Sequence, residues 1–210
     1  MNMALARLIA GQIFLHACMT GMRMATPLLA LREGYSAAAV GVLLALFALT
    51  QVFLALPAGR YADRHGLKRP VGIAVVMACA GAGLSLIFPV FSVMCLSALM
   101  TGGATGLAII ALQRHVGRAA HDTTQLRQVF SWLAIGPAVS NFIGPFFAGL
   151  MIDHAGSTAG STEGYRAAFA LLAVLPLATW FWVRHTEELP PVIAAAGGPP
   201  QRSWDLLNEP

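Results

Sequence analysis

Six stretches of predominantly apolar residues, separated by short polar turns, make up most of the chain. They cover Leu8–Leu31, Ala37–Ala58, Val71–Phe88, Phe91–Leu112, Val129–Ile152 and Ala167–Val183. Each has about the 20 residues with which an α-helix crosses roughly 30 Å of hydrocarbon. The pattern therefore predicts an all-α fold, a polytopic membrane bundle of six transmembrane helices over residues 1–185. Residues 186–210 are rich in Pro, Gly and Glu and hold no further span, so we predict a cytoplasmic linker or tail there.

The composition indicates that lipid is the main solvent of this chain. Hydrophobic residues make up 57% of it and charged residues only 10%, whereas about a quarter of a soluble domain is charged. The net charge is +4, but the basic residues are scattered through the turns and form no run with interleaved aromatic residues. We therefore expect no nucleic-acid partner. The cysteines Cys18, Cys79 and Cys95 lie in apolar stretches without metal-ligand spacing, and we interpret them as small buried hydrophobic residues.

The basic residues predict the orientation of the bundle. With the N-terminus in the cytoplasm, the outer turns hold only Arg32 and Arg166. The cytoplasmic side then holds Arg7, Arg60, Arg64, Lys68, Arg69, Arg114, Arg118, Arg127, Arg184 and Arg202. Because Lys and Arg are retained on the cytoplasmic side, both termini are predicted to be cytoplasmic. We expect a multi-pass protein of the cytoplasmic (inner) membrane.

The turn between the second and third apolar stretches carries the most specific motif in the chain. Residues 59–70 read Gly-Arg-Tyr-Ala-Asp-Arg-His-Gly-Leu-Lys-Arg-Pro, which predicts a tight, basic cytoplasmic hairpin. The segment resembles the signature loop of the major facilitator superfamily of secondary transporters, Gly-x-x-x-Asp-Arg/Lys-x-Gly followed by basic residues. The matching residues are Gly59, Asp63, Arg64, Gly66 and Lys68, with Arg69 next in line, while Leu67 stands at a position that is more often basic.

The resemblance implies that these residues form a gating loop. In the family, the aspartate of this loop caps a helix of a second half of the transporter, where the positive end of a helix dipole favours a carboxylate. From the residues alone, Asp63 has a second interpretation, in which it pairs locally with Arg64 or Lys68 in a solvated cluster.

The fifth apolar stretch places small residues at every fourth position. Gly136, Ser140, Gly144 and Ala148 form a groove that another helix can approach closely, and Pro137 and Pro145 favour kinks. The stretch resembles the fifth-helix signature of antiporters in the same superfamily, which implies export in exchange for protons. Its kink and packing residues would be Gly136, Ser140, Gly144, Pro145 and Gly149. A generic packing helix is the other interpretation.

The first apolar stretch carries a polar stripe. Gln12, His16, Thr20 and Arg23 fall on one face of a helix, and with Asn141 of the fifth stretch they are our predicted substrate cavity. An Arg within a span costs about 2.5–3.5 kcal/mol on insertion scales, so Arg23 should face water or a polar partner. Snorkelling to the outer surface is the alternative. His16 can titrate near neutral pH, which suits proton coupling, although a neutral His bonded to a neighbouring helix fits equally well.

The fourth stretch departs from the antiporter pattern. Drug/proton antiporters often carry an Arg midway along this helix, whereas this chain has Ser97, Thr101 and Thr105 on one face there. These residues suit either a cavity or helix packing. In addition, no Asp or Glu lies clearly within any apolar stretch. The resemblance therefore supports transport more strongly than antiport.

Together these features resemble the N-terminal six-helix half of a major facilitator transporter. The resemblance implies proton-coupled efflux of a small organic solute by alternating access. The sequence contains no phosphate-binding loop, so we expect an ion gradient, that of H⁺, to drive transport instead of ATP. We expect no cofactor. The expected partners are the bilayer, the solute and a second six-helix half, or self-association in its place. The alternative is a truncated, non-transporting half or a membrane interaction fragment. An enzyme is not expected, because Ser92, Ser97 and Ser131 lack the setting of an intramembrane nucleophile.

Overall fold

The computed structural model describes residues 3–119, 122–155 and 162–189. The described ranges form seven α-helices: α1 (Met3–Arg32), α2 (Ala37–His65), α3 (Lys68–Ile87), α4 (Phe91–Ala119), α5 (Thr123–Leu133), α6 (Ile135–His154) and α7 (Glu163–Val183). They supply six segments long and apolar enough to cross a membrane, the fifth being α5 and α6 together. The predicted six-helix membrane bundle is confirmed. Most of the predicted tail, from residue 190 onward, lies outside the described residues.

Two of the helices run well past the apolar stretches that predicted them. α2 continues beyond Ala58 to His65, and α4 continues beyond Leu112 to Ala119. Each has 29 residues, or about 43 Å at 1.5 Å per residue, which exceeds the hydrocarbon thickness. Residues 59–65 are therefore helical, and the prediction of a hairpin turn over 59–70 was wrong in extent. The turn itself is limited to Gly66 and Leu67.

The fifth span is broken near its start. It was predicted as one helix over Val129–Ile152, but α5 ends at Leu133 and α6 begins at Ile135. Pro137 explains the break, because a proline ring clashes with the carbonyl four residues earlier, here that of Leu133. The span also starts earlier than predicted, since the Asp122 carboxylate accepts a hydrogen bond from the Gln125 N–H at 2.6 Å and caps α5.

The packing of the helices has an internal two-fold pattern that the sequence did not reveal. α1 packs on α6 and α7, α4 packs on α2 and α3, and α3 packs on α7. These contacts are preserved when α1 is exchanged with α4, α2 with α5–α6, and α3 with α7. Each repeat contains three spans, so the second runs in the opposite sense to the first, as in inverted transporter repeats.

Glycines set two equivalent close contacts of this pattern. A Cβ on Gly144 would overlap the Ala17 carbonyl and the Thr20 hydroxyl of α1. In the equivalent contact, a Cβ on Gly102 of α4 would overlap the Phe47 carbonyl of α2. Only glycine lets the backbones approach this closely. Along both contacts the residue numbers rise together, so α1 is parallel to α6 and α2 is parallel to α4.

Candidate functional site

An ion pair joins the end of α2 to the end of α4. The Arg114 guanidinium contacts the Asp63 carboxylate, and the two side chains are 45% and 33% exposed. The partner of Asp63 is thus a residue of another helix, rather than Arg64 or Lys68 as the local interpretation held. A pair this accessible to water contributes about 0–1 kcal/mol to stability. It is therefore suited to being broken and remade.

Gly59 leaves the space through which the Arg114 side chain reaches Asp63. It lies one helical turn before Asp63, and an added Cβ would stand 3.0 Å from Nη1 of Arg114. The guanidinium therefore crosses α2 over Gly59 on its way to the carboxylate. The glycine and the aspartate of the motif belong to one contact.

Gly66 ends α2 and turns the chain into α3. Its φ of 74° and ψ of −151° lie in a region that is essentially restricted to glycine, and its N–H donates to the Ala62 carbonyl at 3.0 Å. Arg64 lies exposed in the last turn of α2, while Lys68 and Arg69 form the first turn of α3. The motif residues thus lie at the end of α2, at the glycine of the turn and at the start of α3.

Gln12 and His16 border a small internal cavity. It measures about 20 Å³ and is also lined by Thr105 of α4 and Thr179 of α7. Gln12 Oε1 and His16 Nδ1 are buried and make no hydrogen bond within the described residues. A cavity of this volume accommodates a guest the size of one water molecule. The imidazole therefore lies between α1, α4 and α7, beside another polar atom.

The other members of the predicted cavity lie elsewhere. Thr20 is buried, and its hydroxyl donates to the Ser140 carbonyl at 2.9 Å, so we assign it to packing between α1 and α6. Arg23 and Asn141 are exposed on α1 and α6. The polar stripe is therefore divided into an internal pair, a packing contact and an exposed cation.

The small residues of α6 face α1. Gly136, Ser140, Gly144 and Ala148 are buried, and the Ser140 hydroxyl lies 2.7 Å from the Gly136 carbonyl of its own helix and 3.0 Å from the Ile13 carbonyl of α1, to both of which it can donate. A Cβ on Gly149 would lie 3.2 Å from the flexible end of Met24, a much looser fit than at Gly144. Pro145 lies inside α6 without ending it. The stripe is a helix-packing surface along its whole length.

Residues 8–208 match the family model described as Major Facilitator Superfamily. The chain belongs to the Major Facilitator Superfamily. Among similar proteins is "Tetracycline resistance protein, class B" of Escherichia coli, which is 33% identical over 154 residues, covering 70% of this chain and 35% of that protein. The chain thus spans about a third of the length of this relative. Membership in the Major Facilitator Superfamily points to a multi-pass membrane transporter rather than an enzyme.

Sequence reasoning missed Arg114, the partner of the superfamily motif's aspartate. The apolar stretch ended at Leu112, so Arg114 was counted only as a cytoplasmic charge. A signal was nevertheless present, because two spans of the same direction end in opposite charges, Asp63 and Arg114, just beyond their apolar parts. Two parallel helices that leave the hydrocarbon side by side bring such charges to the same depth.

Removing the Ser140 hydroxyl should weaken the α1–α6 contact only slightly. Hydrogen bonds between membrane helices contribute about 0.6 kcal/mol on average, so we expect Ser140→Ala to lower the unfolding midpoint by about a degree or two. Fluorescence-monitored thermal unfolding of the purified protein in detergent measures this. The control is Ser131→Ala, which removes an exposed hydroxyl that bonds only within its own helix. An equal midpoint for both variants would contradict the prediction.

Proposed function

We propose that this chain is the N-terminal six-helix half of a proton-coupled transporter that exports a small organic solute across the cytoplasmic membrane by alternating access. The observation that carries the proposal is the Asp63–Arg114 ion pair over Gly59. It links α2 of one three-helix repeat to α4 of the other. A contact of about 0–1 kcal/mol at these helix ends can be broken and remade as two six-helix halves rock, so it biases two states without locking either one.

The solute class is supported by the relative and by the exposed polar residues. A relative named as a tetracycline resistance protein supports efflux of an organic molecule. Arg23 and Asn141 are exposed on α1 and α6, and a cation within a span needs water or an anionic partner. We propose that Arg23 binds an anionic group of the solute or a carboxylate of a second half.

The bundle leaves apolar faces uncovered, and a second half is one partner that can cover them. Val52 and Phe53 of α2 are 72% and 73% exposed, and Phe142 of α6 is 68% exposed. The family match and the length of the relative favour a second six-helix half.

Proton coupling is supported by the position of His16. Its imidazole is held between α1, α4 and α7 beside Gln12, in a cavity with room for a water-sized guest. Protonation would place a charge inside the bundle, which favours a rearrangement that hydrates it. The proton would therefore be taken up or released as the helices around His16 move.

Replacing His16 by glutamine should separate exchange from proton coupling. In vesicles containing the full-length protein, we expect His16→Gln to abolish solute accumulation driven by a pH gradient while solute exchange at equal pH continues. Glutamine keeps hydrogen-bonding capacity but cannot carry the proton. His154→Gln, at the exposed end of α6, is the matched control and should leave both fluxes unchanged. Accumulation by His16→Gln at the parent rate would refute the coupling role, and absence of both fluxes in the parent would refute transport.

A further inference from the structure

The chain after α7 folds back onto the turn between α2 and α3. The Glu188 carboxylate accepts a hydrogen bond from the backbone N–H of Lys68 at 2.7 Å, across 120 residues of sequence. Lys68 is the first residue of α3. Glu188 therefore accepts from one of the first N–H groups of α3, which have no partner within the helix.

Helix α3 has no cap of its own. Leu67 precedes it and makes no side-chain capping bond, and its first turn contains no acidic residue. The first N–H groups of a helix lack partners within the helix, and its N-terminus carries partial positive charge. Lys68 and Arg69 add further positive charge at this point. A carboxylate from a distant segment supplies both the acceptor and the compensating charge.

Gly66 shapes the surface that Glu188 contacts. An added Cβ would lie 3.2 Å from Oε1 of Glu188, and the positive φ already excludes other residues. The same glycine ends α2, where its N–H bonds to the Ala62 carbonyl, next to Asp63. Glu188 thus contacts the turn three residues after Asp63, the acidic partner of the ion pair.

We propose that Glu188 is a positioning residue for the Asp63–Arg114 pair. By capping α3 and packing on Gly66, it fixes the end of α2 and so the place of the Asp63 carboxylate. Glu188 also holds the segment that follows α7 against the turn between α2 and α3. The expected effect of Glu188 on flux rests on the proposed transport function. Its capping of α3 and its positioning of the end of α2 are measurable without transport.

Hydrogen exchange of the full-length protein tests the cap and the positioning together. In Glu188→Ala, we expect exchange at Lys68 and Arg69 to rise about fivefold, the effect of losing one helix cap, with a parallel rise over residues 62–66. Glu188→Gln keeps an acceptor and should show a smaller rise. Glu187→Ala, the neighbouring acid, should match the parent. Unchanged exchange over residues 62–69 would overturn the proposal, and a rise confined to α3 would overturn the positioning role.

A transport measurement separates positioning from general support of the fold. If Glu188 acts through Asp63, Glu188→Ala should slow flux about twofold in the parent and should have no further effect in an Asp63→Asn background. Additive losses would overturn the proposal. If the parent carries no flux, the proposed function fails, whereas the exchange result still decides the inference.

Discussion

Replacing Gly144 by alanine is expected to disrupt the folded bundle more than any other single methyl addition to α6. The new Cβ would overlap the Ala17 carbonyl, the Thr20 hydroxyl and the backbone N of Gly21, all on α1. Backbone atoms of a packed helix cannot rotate away as a side chain does, so α1 and α6 must separate. Overpacking of this kind costs about 1–3 kcal/mol or more. We expect the unfolding midpoint in detergent to fall by several degrees, with loss of a monodisperse species on size exclusion.

Two further glycines make the experiment specific. Gly83 of α3 has no atom of the described residues within 4 Å of an added Cβ, so Gly83→Ala should unfold at or slightly above the parent temperature. Gly102 is the two-fold counterpart of Gly144 and meets the Phe47 carbonyl, so Gly102→Ala should be destabilised like Gly144→Ala. If Gly144→Ala were as stable as Gly83→Ala, the close approach of α1 and α6 would be refuted.

The small-residue spacing in the fifth apolar stretch was readable in advance because it is a local property of one helix. Gly136, Ser140, Gly144 and Ala148 recur at a period of four, and all are buried in the structure. Which helix they contact was not readable, since the partner depends on the arrangement of the whole bundle. The spans themselves were predictable in the same limited way. Hydropathy predicted that each span exists, but it did not predict where its helix ends. Hydropathy reports contact with lipid, and a helix continues into water wherever its hydrogen bonds allow.

The polar stripe of α1 shows that residues spaced three or four apart do not all contact the same neighbours. At 3.6 residues per turn, a spacing of eight residues rotates a side chain by about 80°, so Thr20 does not share the direction of Gln12. Thr20 bonds to Ser140 of α6, and Gln12 lies near Gly136 of the same helix, while His16 lies at the cavity with Thr105 and Thr179. Spacing alone could not separate these roles.

Neutralising either partner of the Asp63–Arg114 pair should slow transport while leaving the amount of protein in the membrane unchanged. We expect Asp63→Asn and Arg114→Gln each to reduce solute flux about fivefold, the change that about 1 kcal/mol produces. The double variant should be no slower than either single variant, because both remove the same contact. Flux into vesicles, normalised to immunoblotted protein, measures the effect. Arg60→Gln removes an exposed motif charge and should retain the parent rate.

A substitution at Gly59 tests whether the ion pair itself, rather than the charge at this end of the bundle, sets the rate of transport. Gly59→Ala changes no charge, but its Cβ would stand 3.0 Å from Nη1 of Arg114 and require the guanidinium to shift by a few tenths of an ångström beside Asp63. It should therefore slow flux in the parent and have no effect once Arg114 is Gln. If Gly59→Ala transported normally while Asp63→Asn was slow, the position of the Arg114 guanidinium over Gly59 would not set the rate. A further loss in the Arg114→Gln background would instead assign Gly59 to the folding of α2.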